Sequence, residues 1–519
     1  MVTGPETHNS AQRRAGVCLH ITSLPGPYGI GELGRNARTF VDNLKKMQLS
    51  VWQFLPIGPT AYGDSPYQPL STFAGNEMLI DIDDLTAIGL LAGDEVSELT
   101  SLPQEYVDYG ALIPIKTRLL KLAASRFEDV ADAAMKADFD AFLMRNNSAW
   151  LHDYAVYRIL KTQHGEKPWP EWQQEYVRRD VTALRDIEEA AADQIEAIKI
   201  IQYLFFRQWW QLRDYAHANG VSLFGDMPIC IALDSSDAWA NREIIKIDEN
   251  GRPESVAGVP PDYFSADGQL WGNPLYDWEQ HRATNYSWWI ERLKATAEIA
   301  DLVRIDHFRG FESYWSIPAS SDTARIGAWE PGPGDAIFDA MSESLGSLPI
   351  IAEDLGVITP EVEGLRDRHN IPGMRMLQFD VCDEGFNLDD IGINSVCYTG
   401  THDNDTTIGW FRGSPDDIRS EDDIKLAQEA VLDITGGKPE TIHTDLIRAA
   451  FSTAAYIAIA PMQDYLGLGS EARINTPGIA GGNWRWRVLD EQISADFCHN
   501  VASMVNASER GMSNNGKKQ

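Results

Sequence analysis

Several apolar segments of the sequence end in side chains that can act as acids, bases or nucleophiles. In chain order these side chains are Asp226, Arg304 with Asp306, Glu353 with Asp354, and His402 with Asp403. If the segments are parallel strands of a barrel, their carboxyl ends meet on one face and the carboxylates converge there. Three carboxylates beside an arginine match the needs of a retaining glycosidase, which works through a covalent intermediate.

The three carboxylates can be divided into a nucleophile, a general acid/base and a supporting group. Arg304 stands two residues before Asp306, so both side chains point to one face of a strand and the guanidinium keeps the nucleophile ionised. Glu353 follows an apolar run, which favours the raised pKa that a general acid/base needs. We expect Asp403 to bind ring hydroxyls and to stabilise the positive charge of the transition state.

Two other interpretations fit parts of this pattern. A single strand-end carboxylate often caps the next helix or pairs with an arginine, but three occurring together argue against that role. His402, Asp403 and Asp405 lie close enough in sequence to be metal ligands, yet no HExxH or paired-histidine motif supports a metal site. We therefore expect no metal.

The segment Gly29-x-Gly31-x-x-Gly34 imitates a dinucleotide-binding turn, since it follows a predicted strand and opens a helix. The next strand ends in Phe54-Leu55-Pro56-Ile57-Gly58, without the acidic residue that binds ribose hydroxyls. We therefore expect no cofactor. These glycines instead predict a loop whose backbone passes close to something at the barrel mouth.

The elements that position these residues form a regular series of β-rich apolar runs, most followed by a helix-like segment. The runs are 16–21, 50–55, 221–226, 302–306, 349–353, 374–379, 396–401 and 456–461. Repeated βα units of this kind favour a parallel sheet, and eight of them predict an α/β fold, a (β/α)8 TIM barrel.

The spacing of the runs predicts insertions into one catalytic barrel of residues 16–508. Amphipathic segments predict a large helical insertion after the second strand, at about 60–200. Residues of about 230–289 lack clean periodicity and are rich in Gly, Pro, Trp and Asp, which predicts a long ordered loop that shapes a groove over the mouth. We expect a loose segment at 1–15 and a polar tail at 509–519.

The composition excludes several classes of partner. The chain has 519 residues with 77 acidic and 44 basic side chains, a net charge of −33, which argues against nucleic acid and anionic membranes. The excess acid is scattered, so it indicates either a solvated surface or adaptation to high internal salt. Five widely spaced cysteines and the absence of a signal-like or membrane-length apolar run predict a cytoplasmic protein. We expect a monomer or a small homo-oligomer.

Sixteen tryptophans include several in polar loops, where an indole ring can stack on the apolar face of a sugar. Most are expected to be packing residues, and only Trp271 is interpreted as a site candidate.

The sequence resembles the 4-α-glucanotransferases of the amylomaltase, or disproportionating-enzyme, type, which form glycoside hydrolase family 77 and are related to the α-amylases. The resemblance covers roughly residues 15–500. It rests on the motifs Ser65-Pro66-Tyr67-Gln68, Gly225-Asp226-Met227-Pro228-Ile229, Val259-Pro260-Pro261-Asp262-Tyr263-Phe264, Arg304-Ile305-Asp306-His307-Phe308-Arg309-Gly310, Ala352-Glu353-Asp354-Leu355-Gly356, Thr401-His402-Asp403-Asn404 and Asn475-x-Pro477-Gly478.

The resemblance implies the same catalytic trio, Asp306, Glu353 and Asp403. It further implies that the donor and acceptor subsites are lined by Tyr67, Asp226, Asp262, Gln269, Trp271, Arg304, His402 and Asn475. The donor would be an α-1,4-glucan, and the acceptor glucose or a maltooligosaccharide. As in the family, only a short stretch follows the eighth strand, so no C-terminal β-sandwich domain is expected.

Two rival functions share much of this pattern. A hydrolytic α-amylase would use the same carboxylates and differ only in letting water attack the intermediate. An inactive α-glucan-binding protein would have no reason to retain all three carboxylates together with Arg304 and His402.

Overall fold

The computed structural model describes residues 12–261, 267–414, 417–479 and 481–512. Within these residues the strands, in chain order, are β1 (Arg14–Cys18), β2 (Val51–Gln53), β3 (Ser222–Pro228), β4 (Ser255–Val259), β5 (Gln269–Pro274), β6 (Leu302–Asp306), β7 (Ser313–Pro318), β8 (Ala328–Pro331), β9 (Ile350–Ala352), β10 (Gly373–Met376), β11 (Ser395–Tyr398) and β12 (Ile457–Pro461).

The helices of the same residues are α1 (Arg35–Lys46), α2 (Ile82–Ala87), α3 (Tyr109–Val130), α4 (Ala133–Asn146), α5 (His152–Gln163), α6 (Gln174–Val177), α7 (Val181–Ala190), α8 (Ala192–Ala218), α9 (Ser236–Ala240), α10 (Trp278–Ala283), α11 (Ser287–Ile299), α12 (Asp335–Leu345), α13 (Pro360–Arg368), α14 (Leu377–Asp380), α15 (Thr407–Arg412), α16 (Glu421–Thr435), α17 (Ile442–Ser452), α18 (Met462–Leu466) and α19 (Ala495–Ala507). None of these helices is both long and apolar enough to span a bilayer.

The eight predicted strands form one parallel sheet of the described chain, in the order β10-β11-β12-β1-β2-β3-β6-β9. Its ends meet where the Ala352 amide donates to the Pro372 carbonyl at 2.8 Å, beside the first residue of β10. The sheet is thus a nearly closed barrel, and the predicted (β/α)8 fold with insertions is confirmed.

Side chains alternate along each strand between the barrel interior and the layer of helices outside it. Ile457 and Ile459 belong to an interior cluster with Val396 and Tyr398, whereas Ala458 packs outward against the helices. Because both faces of a parallel sheet are buried, both sets of side chains are apolar. That is why the strands are visible in the sequence as continuous apolar runs.

Helices α2 to α8 lie between β2 and β3, where the sequence predicted a helical insertion. The last of them, α8, is 27 residues long and also packs against α1 and β3. It therefore belongs both to the inserted helices and to the outer layer of the barrel. At the chain's end, Arg510 is buried and donates to the carbonyls of Phe451 and Ala455, so packed structure extends past the predicted boundary at residue 508.

The region after β3 contains strands that the sequence did not reveal. Strands β4 and β5 join β7 and β8 in a four-stranded antiparallel sheet of order β5-β4-β7-β8. For about 230–289 the sequence predicted a long ordered loop, and the strands β4 and β5 within that region were not predicted. Gly258, Gly272 and Pro274 interrupt the strand pattern, and the partner strand β7 comes from beyond β6, so no local signal announced the pairing.

The glycine-rich turn after β1 closes against the protein itself. A side chain at Gly31 would lie 1.8 Å from the Ile21 carbonyl oxygen, and one at Gly34 would overlap the carboxylate of Asp81. Asp81 caps the N-terminus of α2. The close backbone approach predicted from these glycines thus serves packing of the inserted region on the barrel.

Candidate active site

Arg304 joins two of the predicted site carboxylates. It lies on β6 opposite Asp226 of β3, and its Nη1 lies 2.9 Å and 2.8 Å from the two carboxylate oxygens of Asp226. Its Nη2 lies 2.8 Å from Oδ1 of Asp306. The planar guanidinium serves all three oxygens because its donors point in fixed, separate directions.

The depth of these groups differs in a way that suits their predicted roles. Side chains of Asp226 and Arg304 are buried, whereas that of Asp306 is 30% exposed at the end of its strand. Burial raises the pKa of Asp226, and the charge of Arg304 only partly offsets this. Burial also disfavours a charged Arg304, but Asp226 and Asp306 outweigh it and keep its pKa high. Asp306 is therefore the accessible carboxylate of an ionic cluster.

Glu353 follows β9 and is oriented by two backbone amides. The amide of His307 donates to Oε2 at 2.7 Å, and that of Leu355 donates to Oε1 at 3.0 Å. His307 adopts a left-handed conformation with φ 54°. Burial raises the pKa of Glu353 to about 7, although Arg304 and the two amides oppose the shift. A carboxyl group with this pKa can both donate and accept a proton near neutral pH.

Asp354, next in the chain, has a structural role instead. Its carboxylate accepts from the Met374 amide at 2.7 Å and pairs with Arg366. These contacts connect the end of β9 to β10. Asp354 is therefore a strand-end carboxylate whose partners are all structural.

Asp403 follows β11 and is held by His402 and Asn475. Nε2 of His402 lies 3.2 Å from Oδ2, and the Asn475 amide donates to Oδ1 at 2.6 Å. Burial would raise the pKa of Asp403, but His402 and Asn475 together bring it below its usual value. Asp403 is therefore ionised at neutral pH.

Tyr67 and His402 form a stacked pair beside this carboxylate. Their ring centroids lie 4.9 Å apart with an interplanar angle of 15°. The Tyr67 hydroxyl donates to Asp226 at 2.9 Å and lies 3.4 Å from Nδ1 of His402. Burial lowers the pKa of His402, but the adjacent Asp403 reverses the shift and raises it. One network thus runs from Arg304 through Asp226, Tyr67 and His402 to Asp403.

Gln269 and Trp271 approach the site from β5 of the antiparallel sheet. The Trp271 indole donates to the Gln269 side chain at 3.1 Å and meets the His307 ring edge-on, with centroids 4.8 Å apart. Since the amide of His307 binds Glu353, these residues lie on the side of the predicted acid/base. Asp262, also predicted to line the subsites, lies outside the described residues.

Sequence reasoning missed two residues that support the site. Arg473 donates to the backbone carbonyl of Asp403 at 2.7 Å and to that of Asn475 at 2.8 Å. The Trp484 ring lies 6.0 Å from both Tyr67 and His402. The two glycines shortly before Trp484 could have indicated a loop that carries a site residue. The sequence around Arg473 has no comparable feature.

Comparisons with known proteins agree with this geometry. The sequence profile of the family described as 4-alpha-glucanotransferase, glycoside hydrolase family 77, matches residues 19–492. The chain belongs to this family.

The relatives match nearly the whole chain. The 4-alpha-glucanotransferase of Thermus thermophilus is 46% identical over 504 residues, which cover 96% of this chain and 99% of the relative. The chloroplastic/amyloplastic 4-alpha-glucanotransferase of Arabidopsis thaliana is 41% identical over 490 residues, covering 93% of this chain and 83% of the relative.

The fold comparison gives the same family. The structure of amylomaltase from Streptococcus agalactiae in complex with acarbose has a TM-score of 0.91 and 36% identity, covering 96% of this chain and all of that one. The chain is thus an enzyme of glucan transglycosylation, and the alternative of a hydrolytic α-amylase is not favoured.

Proposed function

We propose that the chain transfers segments of α-1,4-glucans between sugars by double displacement, with Asp306 as nucleophile and Glu353 as acid/base. The observation that carries this proposal is the pairing of two unlike carboxyl groups on neighbouring strands. Asp306 is bound to Arg304 and reaches the surface of the site, whereas burial raises the pKa of Glu353 to about 7. A retaining enzyme needs one ionised and one protonated carboxyl group.

In the first step, Asp306 attacks the anomeric carbon of the donor while Glu353 gives its proton to the glycosidic oxygen. The bond between them breaks, the fragment with the reducing end leaves as an alcohol, and a glycosyl ester forms on Asp306. Positive charge develops on the ring during this step, so the ionised Asp403 stabilises it.

In the second step, the 4-hydroxyl of an acceptor attacks the anomeric carbon of the ester. Glu353, now ionised, takes the hydroxyl proton, and the carboxylate of Asp306 leaves. Two inversions restore the original α configuration. Water could attack in the same way, so transfer requires that the acceptor binds in the groove and displaces water from Glu353.

The remaining predicted residues fall into donor and acceptor groups. Tyr67, Asp226, Arg304, His402 and Asn475 surround Asp306 and Asp403, which supports a role in holding the donor sugar. Gln269 and Trp271 lie toward Glu353, which supports an acceptor role. We include Asp262 in that group from the sequence motif alone.

The substrates follow from the family and from the chemistry of the site. Maltooligosaccharides or longer α-1,4-glucans serve as donors, and glucose or another glucan as acceptor. Acarbose, bound by the amylomaltase of Streptococcus agalactiae, should compete for the same groove. The five free cysteines of the described chain support a reducing, cytoplasmic setting.

Incubation of the purified protein with maltotriose alone tests this function. Disproportionation predicts a ladder of longer maltooligosaccharides together with free glucose, while the total of reducing ends stays nearly constant. A steady rise in reducing ends without longer products would make the protein a hydrolase. No change of any kind would contradict the proposed donor class.

A further inference from the structure

Trp484 lies directly behind the donor side of the site but does not belong to its hydrogen-bond network. We propose that Trp484 is a positioning residue that holds the Tyr67–His402 stack and the Asn475 segment in place, and that the inserted helix α3 anchors it through Tyr109. This inference rests on the proposed function.

The indole ring of Trp484 supports two rings at once. Its centroid lies 6.0 Å from Tyr67 at an interplanar angle of 41° and 6.0 Å from His402 at 40°. Trp484 is buried, with 5% of its surface exposed, so the ring closes the rear of the stack. Without it, Tyr67 and His402 would have space to tilt away from Asp226 and Asp403.

The backbone of Trp484 fixes a second part of the site. Its amide donates to the Ile474 carbonyl at 2.7 Å, one residue before Asn475. Asn475 in turn donates to Asp403 at 2.6 Å. One residue therefore constrains both groups that stabilise the ionised Asp403, namely His402 through its ring and Asn475 through its backbone.

Trp484 adopts a strained conformation in order to do both. Its φ is 63°, in the left-handed region that bulky side chains rarely occupy. Such a conformation persists only where surrounding contacts impose it, and it is concentrated at functional sites. Two glycines, at 481 and 482, precede it.

The contacts that impose this conformation come from the helical insertion. The hydroxyl of Tyr109, the first residue of α3, donates to the Trp484 carbonyl at 3.0 Å. The following residues continue the attachment, because the Val107 amide donates to the Arg485 carbonyl at 2.7 Å and the Arg485 side chain donates to the Val107 carbonyl at 2.9 Å. The insertion thus reaches the donor site by a short chain of direct contacts.

Two substitutions separate the ring of Trp484 from its backbone. Trp484→Gly accepts the left-handed φ without strain but lacks the ring, whereas Trp484→Phe keeps an aromatic ring at the strained position. A misplacement of catalytic groups by about 1 Å can cost about 10²-fold in rate. We expect Trp484→Gly to lower kcat for maltotriose disproportionation by about that factor and Trp484→Phe to stay within about threefold of the natural protein.

Binding and stability measurements distinguish positioning from general damage. We expect acarbose to bind Trp484→Gly more weakly by calorimetric titration, because Tyr67 and His402 belong to the proposed donor subsite in which acarbose should bind. The control is Trp172→Phe, since Trp172 is also buried but packs against Tyr157 and His164 of the insertion and against Trp239 of α9. That control should lose melting temperature while kcat and acarbose affinity remain unchanged.

The anchor is tested separately with Tyr109→Phe, which removes only the hydroxyl that binds the Trp484 carbonyl. Loss of one such hydrogen bond predicts a decrease in kcat of about fivefold. Full kcat and full acarbose affinity in Trp484→Gly would overturn the inference. A natural protein that binds acarbose but does not disproportionate maltotriose would instead overturn the proposed function, so the two failures are distinguishable.

Discussion

Asp306 and Glu353 occupy matching positions on neighbouring strands, because each directly follows one member of the pair Ile305 and Ala352. The backbone keeps this match beyond the strands, since the Glu353 amide donates to the Ile305 carbonyl and the Phe308 amide to the Glu353 carbonyl, both at 3.0 Å. Register alone thus brings the proposed nucleophile and the proposed acid/base to adjacent strand ends. Their different surroundings then assign the two roles.

The proton on Glu353 predicts how the rate depends on pH. Burial raises the pKa of this carboxyl group to about 7, and the first step needs it protonated. We therefore expect kcat/KM for maltotriose to decrease as pH rises through about 7, measured between about pH 5 and pH 9. Glu353→Gln should lose most activity, and its kcat/KM should no longer decrease at alkaline pH. Glu343→Gln, at an exposed position, should keep the activity and the alkaline decrease of the natural protein. An alkaline limb that survives in Glu353→Gln would assign it to another group.

Arg304→Lys tests the ionic cluster. A lysine has a single nitrogen in place of the two that reach Asp226 and Asp306, so it cannot reproduce both contacts in the same geometry. We expect the free energy of unfolding, measured by urea titration, to decrease by about 3 kcal/mol. We also expect kcat for maltotriose to decrease strongly. Arg368→Lys, on an exposed pair with Asp335, should change stability by less than about 0.5 kcal/mol. Equal effects of the two substitutions would contradict a special role for Arg304.

Asn475→Ala tests the support of Asp403. The amide that donates to Oδ1 at 2.6 Å helps to keep the pKa of Asp403 below its usual value, so its removal raises that pKa. Activity needs Asp403 ionised, and the acidic limb of the pH profile should therefore move to higher pH while kcat decreases about tenfold or more. Asn475→Ser, which retains a donor, should behave in an intermediate way. An unmoved acidic limb in Asn475→Ala would show that Asn475 does not act through Asp403.

The net charge of −33 predicts a salt dependence of stability. Dissolved salt shortens the range of repulsion from about 10 Å at 0.1 M to about 3 Å at 1 M. If the acidic surface is an adaptation to high salt, the melting temperature should rise between low and molar potassium chloride. A melting temperature that stays constant or falls would leave the acidic surface as an ordinary solvated one.

The barrel could be predicted because its strands are buried on both faces. Residues 456–461 and 396–401, for example, form apolar runs that stand out from the polar sequence around them. The position of each carboxylate then followed from its place after a run. The antiparallel sheet was not predicted because glycine and proline interrupt the strand patterns of β4 and β5, and because their partner strand β7 follows β6 in the chain.

The residues that support the site from behind, Arg473 and Trp484, could not be predicted because their contacts come from distant parts of the chain. Arg473 acts on Asp403 through a backbone carbonyl 70 residues away in sequence, and any long side chain on a loop could have served as well. Trp484 was visible as an aromatic residue beside glycines, but its place behind Tyr67 depends on how the insertion folds. Contacts of this kind arise from tertiary structure and leave no periodic pattern.

Trapping of the covalent intermediate tests the central claim most directly. In Glu353→Gln, a maltotriosyl fluoride donor needs no acid to expel fluoride, while the second step lacks its base, so the glycosyl ester should accumulate. Trypsin cuts after Arg304 and Arg309, and mass spectrometry should find the peptide of residues 305–309 heavier by three glucosyl units. The same adduct on a different peptide, or normal turnover by Asp306→Asn, would contradict the account.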